Sequence, residues 1–201
     1  MEATEIADSI HGGHGAHAHS AESDDKFRKL TGIYLGVVAM LLSIASLGGS
    51  NATKEMLSAN IHASDTYAYY QAKYMRQTSY QIAADQLEVL GGAGNASPAT
   101  AELIKRYRDT AVRYESSPDT GDGKKELLAK ARAWEERRDR AAAQDPNFDY
   151  AEALFQIAIV LGSVSIVAAS RSLLVLSAAL AAGGSLLTAN GYLLWASLPA
   201  L

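Results

Sequence analysis

The chain has 201 residues, no cysteine and a formal net charge of −4. That length sets a prior of one compact unit, two at most. Without thiols there are no disulfides, thiolate metal sites or cysteine nucleophiles, and the acidic balance leaves no broad basic field for nucleic acid.

Residues 1–25 are dominated by Gly, Ala, Ser, Asp, Glu and His. So little apolar content buries no core, and a disordered His-rich tail is expected. Its acidic start is unlike the short basic start of a secretory signal. His11, His14, His17 and His19 are dense enough on a flexible backbone to wrap a divalent transition metal such as Zn²⁺, Ni²⁺ or Cu²⁺. The competing reading, a solvated low-complexity tail, is favoured because nothing nearby is fixed to orient the rings.

Lys26, Phe27, Arg28 and Lys29 then precede an apolar run over 30–47. Cations and an aromatic at that boundary are what a membrane-interface anchor needs, so 26–49 reads as transmembrane helix 1. Gly32 and Gly36 are spaced for the close approach of two helix backbones. Ala158 with Gly162, and Ala179 with Gly183, repeat that spacing further on, which favours helix contacts within or between chains. Gly48, Gly49 and Ser50 are expected to close the first span or loosen it.

Residues 50–149 read as an extramembrane region. From 51 to 90 there is no proline or glycine, so a single helix of roughly 60 Å is expected. One face carries Met56, Ala63, Tyr67, Tyr70, Tyr74, Gln77, Gln81 and Ala84, close to a coiled-coil seam. A neighbouring face carries Ala68, Ala72, Met75, Ile82 and Leu90. The tyrosines read as packing rather than a ligand platform. His62 is expected to pair at the surface with Asp65. A glycine-rich turn follows at 91–95, then Ser97 as an N-cap with Pro98 at the first helical position. The stretch 116–123, SSPDTGDG, breaks the next helix; its spacing does not match a calcium loop. A further amphipathic helix is expected over 124–144. The two returning helices sum to about the reach of the outgoing one, roughly 60 Å, which predicts a helical hairpin with one continuous arm and one broken arm.

Residues 145–150 are expected to turn the chain back into the membrane. Between 153 and 195 the only full charge is Arg171. As one helix this stretch would run roughly 65 Å, twice a hydrocarbon core of roughly 30 Å. The chain must therefore turn at Ser170-Arg171-Ser172, giving spans at 150–170 and 172–198. The fold expected is all-α and transmembrane: one N-terminal span, a long extramembrane helical hairpin, and a C-terminal two-span hairpin.

The segment Ser64-Asp65-Thr66-Tyr67-Ala68-Tyr69-Tyr70-Gln71-Ala72-Lys73 resembles the signature of a bacterial family of unknown function, family 4337. Phe148-Asp149-Tyr150-Ala151-Glu152, followed by Gln156-Ile157-Ala158-Ile159-Val160-Leu161, looks like its second block. The resemblance covers most of 26–194 and implies three spans in a bacterial inner membrane. It brings no activity and no catalytic residues.

The basic residues nearest the span ends favour a cytoplasmic N-terminus. No serine elbow, phosphate loop, His–Glu metal helix or buried carboxylate pair is present, so no enzyme is expected. The reading is a non-catalytic structural or assembly protein in the lipid bilayer, a homo-oligomer or a subunit of a larger membrane complex. The alternatives are an ion-conducting or transport-accessory oligomer, for which no central carboxylate is evident, and a metal-handling protein using its tail.

Overall fold

The computed structural model describes residues 3–92 and 97–198, with side chains from Asp25 onward. The described residues form four helices and no strand: α1 (Ala3–Gly91), α2 (Pro98–Glu115), α3 (Lys124–Val167) and α4 (Arg171–Leu193). The expectation of disorder over 1–25 falls on residues whose side chains lie outside this description, and the backbone there is assigned to α1 from Ala3. Asp25–Gly91, Lys124–Val167 and Arg171–Leu193 are each long and apolar enough to cross a membrane.

The helix ends follow their local chemistry. Gly92, at φ +66°, supplies the left-handed residue that stops α1. The Ser97 hydroxyl caps α2 by accepting from the Thr100 N–H at 3.2 Å, with Pro98 at the start of the helix. α3 and α4 are separated by a tight turn in which Ala169 takes φ +46°.

α1 continues as helix through Gly48, Gly49 and Ser50. One expected turn is absent: α3 runs through Pro146. Proline removes one backbone donor in mid-helix. Here Asn147 Nδ2 adds a bond to the Ala143 carbonyl at 3.0 Å, which ties the turn containing the proline together.

The chain divides into two compact units, Met1–Ala52 with Ala143–Leu201, and Thr53–Ala142. In the first, Val38, Ala45, Ala151, Phe155, Ala158 and Ala181 form the core, with Tyr34, Leu41, Leu42 and Leu187 packed against it. Thr31, Val38, Ala45 and Ala52 are buried at seven-residue intervals along α1, which keeps one edge of the helix against its partners. Large apolar side chains such as Leu30, Met40, Val160 and Leu186 point outward, while Ser165, Ser177, Thr188 and Asn190 are buried. A water-soluble bundle sorts its residues the other way. In hydrocarbon, small residues belong between helices and large apolar ones outside.

In the second unit α1 runs antiparallel to the returning helices. Arg108 meets Glu88, Gln77 meets Glu115, Lys73 meets Asp122 and Tyr67 meets Glu135. The order is that of the predicted hairpin, with its returning arm broken at 116–123. Its buried apolar residues are almost all alanine: Ala59, Ala63, Ala84, Ala111, Ala131 and Ala141, joined by Leu127. Small side chains let the helices approach closely and leave room for a few long polar ones.

Candidate functional site

Two clusters of helix contacts concentrate the residues that sequence singles out. In the first unit the centre is Phe148, 2% exposed. A side chain added at Gly191 would meet its ring at 2.8 Å, and one added at Gly48 would clash with the same ring. A side chain added at Gly49 would meet the Phe148 Cβ at 3.2 Å. One aromatic from α3 thus sits in a slot cut by two glycines of α1 and one of α4. Phe155 repeats the arrangement at Gly184, where an added side chain would meet its ring at 3.0 Å.

Polar groups close the same interfaces. Ser177 Oγ donates to the Ala158 carbonyl at 2.6 Å and lies 2.9 Å from the Tyr34 hydroxyl, so α4, α3 and α1 share one hydrogen-bonded node. Asn190 Nδ2 donates to Asn147 Oδ1 at 2.5 Å and to the Ala196 carbonyl at 2.9 Å, and Asn190 Oδ1 accepts from the Ala196 N–H at 3.0 Å. Among the described residues every buried side-chain nitrogen and oxygen has a partner. That is what a low-dielectric setting demands, since an unpaired buried amide costs about 1–3 kcal/mol.

The predicted packing residues divide. Ala158 is fully buried, and a side chain at Gly162 would meet Leu35 at 2.6 Å and Ser177 Oγ at 3.2 Å. Gly183 is in ordinary contact range of Leu154, and Ala179 faces outward. Gly32 and Gly36 have nothing within 4 Å of an added Cβ. The α4 residues that do pack are Ser177, Ala181, Gly184, Thr188 and Gly191. Their alternating four- and three-residue spacing was readable in the sequence as a row of small residues. Reading glycines in pairs, instead of as a row, missed it.

In the second unit the centre is Lys73, which is 8% exposed. Its ammonium bonds Asp122 Oδ2 at 2.6 Å and lies 5.3 and 5.1 Å from the Tyr69 and Tyr114 ring centroids. The hydrogen bond from Lys73, then one from Thr120, holds the Asp122 carboxyl below its ordinary value, and the same contact to Asp122 raises the Lys73 ammonium. Gln77 Nε2 donates to the Ala111 carbonyl and to Glu115 Oε2, each at 3.1 Å. Lys124 also bonds Glu115 at 2.9 Å. Lys124 and then Gln77 lower the Glu115 carboxyl. Glu126 accepts from the Ser116 hydroxyl at 2.7 Å and the Ser117 N–H at 3.1 Å, and is lowered by them in that order. Lys130 Nζ reaches the Gly121 carbonyl at 2.6 Å. The 116–123 break is therefore a built joint, its acids and the Gly121 carbonyl engaged by lysine ammoniums and hydroxyls.

The tyrosines of this face differ in their surroundings. Tyr67 donates to Glu135 at 3.1 Å, which raises its hydroxyl's pKa. Tyr70 is half-buried, and Tyr74 is 53% exposed with the Lys124 ammonium 4.9 Å from its ring centroid. Of the face expected to be a seam, Gln81 is exposed, and the neighbouring face leaves Met75, Ile82 and Leu90 exposed. His62 stacks on Trp134 at 4.5 Å between centroids, a contact in place of the Asp65 pairing expected from i, i+3 spacing.

The side chains of His11, His14, His17 and His19 lie outside those the structure describes. Among the described residues no three His, Cys, Asp or Glu side chains gather to hold a metal ion.

A family model described as a domain of unknown function (DUF4337) matches residues 27–194. The chain belongs to this family. No curated protein and no solved structure matches it. In DUF4337 terms, the matched stretch takes in both clusters, Phe148 with its glycines and Lys73 with its joint.

Proposed function

We propose that this DUF4337 chain is a non-catalytic assembly protein of a bacterial inner membrane, with spans at 26–49, 150–170 and 172–198 and an extramembrane helical hairpin over 50–149. Its N-terminus is cytoplasmic, and it forms oligomers through its spans and its helical stalk. It carries no resident cofactor of its own. The observation that supports the membrane reading most is the inverted sorting of the first unit. Leu30, Met40, Val160 and Leu186 face out, while Ser177, Thr188 and Asn190 are inside. In water each exposed leucine or valine forfeits about 1.5–3 kcal/mol of burial; in hydrocarbon it forfeits almost none. Assembly is supported by the neighbouring face of α1, on which Met75, Ile82 and Leu90 are exposed.

Two measurements test this. Alkaline carbonate washing of membranes is expected to leave the full chain in the pellet, and release into the supernatant overturns the membrane reading. Mass measurement of the intact detergent-purified protein is expected to exceed one chain, and a strict monomer overturns the assembly reading.

A further inference from the structure

We propose that α1 pairs with α1 of a second copy of this chain, parallel and in register, along a row of outward-facing residues; this rests on the assembly reading above. In the first unit the row is Ile33, Met40 and Leu47, which are 66%, 67% and 64% exposed. In the second it is Ile61, Met75, Ile82 and Val89, at 59%, 69%, 51% and 81%. Ala68 fills the position between Ile61 and Met75 and is also exposed. Counted along the sequence, every member lies a multiple of seven residues from the others, with Lys54 the one charged position.

The row stands two residues after the buried row of Thr31, Val38, Ala45 and Ala52, or about 200° around the helix. α1 therefore carries two seams back to back. Its own chain occupies one of them.

A seven-residue repeat stays on one side of a helix only where two helices wind around each other, so the occupant is a helix. That helix must be apolar enough for hydrocarbon opposite 33–47 and keep the same phase opposite 61–89. The α1 of a second copy meets both conditions. Copies inserted in one membrane point the same way, which makes the pair parallel. Gly32, Gly36, Ala39 and Ser43 flank the row and are exposed, and such small residues let two backbones approach in lipid. Lys54 then faces its own copy, a polar seam position that fixes register at a cost in stability.

Because the chain has no cysteine, single cysteines report on one position each. Met40→Cys, Ala68→Cys and Ile82→Cys, each in the full chain in native membranes under mild oxidation, are expected to give a covalent dimer. Parallel register brings each position within the 4.4–6.8 Å Cα separation a disulfide needs. Arg76→Cys, exposed on α1 but off the row, and Lys105→Cys on α2 are expected to stay monomeric. Lys54→Leu is expected to raise the dimer yield of Ala68→Cys several-fold. Row variants that link no better than the controls overturn the proposal. If the intact mass still exceeds one chain, only the seam is wrong; if it does not, the assembly reading has failed as well. Linking seen only when Ala68→Cys and Ile82→Cys are mixed means an antiparallel pair, and overturns the parallel register.

Discussion

The two units are held together by different chemistry, although α1 contributes to both. In the first, the contacts are glycine against aromatic ring and hydroxyl or amide against carbonyl, and among the described residues no charged side chain is buried there. In the second, alanine packing makes room for a buried lysine and an amide, which with three carboxylates tie the helices to the 116–123 break. The contrast is one of means. In the first unit contact comes from the close fit of small residues against rings. In the second, ammonium and carboxylate groups keep one side solvated while they fix a loop.

Removing the aromatic that fills the glycine slot is the severest break. Phe148→Ala is expected to cost about 4 kcal/mol, read as loss of resistance to unfolding in mixed micelles. Closing the slot from the other side does less: Gly48→Val, which drives a side chain into the Phe148 ring, is expected to cost about 3 kcal/mol by the same assay. In the second unit, Lys73→Ala removes a buried stem and its two aromatic contacts and is expected to cost about 2 kcal/mol. Amide exchange would localise that loss to the 116–123 joint and leave the glycine slot protected.

Acid sharpens the contrast further. Glu115, Asp122 and Glu126 titrate below their ordinary values of 4.5, 3.8 and 4.5 when folded. Their bonds therefore contribute fully above those values, and the contribution is lost as pH falls through the lowered ones. Exchange protection at the joint is expected to be flat above 4.5 and to decline below 3.8. The smallest effect is the one at Gly32. With nothing within 4 Å of an added Cβ, Gly32→Ala is expected to change the chain's own stability by less than about 0.5 kcal/mol. A larger change in the same micelle assay would mean that the outer face of α1 is already covered.

Much of this was legible in the sequence because it depends on local signals. The Ser97 cap, the break at 116–123, the turn at Ser170 and the antiparallel return all follow from caps, glycines, prolines and lengths. What was not legible depends on which surfaces meet. Phe148 reads as a boundary aromatic until Gly48 and Gly191 are seen against it. Pro146 reads as a helix stop because proline usually is one, and the compensating Asn147 bond is a side-chain detail that spacing does not encode. Nothing in the spacing around Lys73 marks it as buried. Its burial follows from Asp122, which lies 49 positions away in the sequence.

Asn190 carries one more consequence. The Leu194 N–H closes onto the Asn190 carbonyl at 2.7 Å, while the Asn190 side chain satisfies both backbone groups of Ala196. The last turn of α4 thus brings its own solvation with it. A helix end equipped this way needs no water to satisfy these groups, and Asn190→Leu, which removes that escort, is expected to speed amide exchange at Ala196.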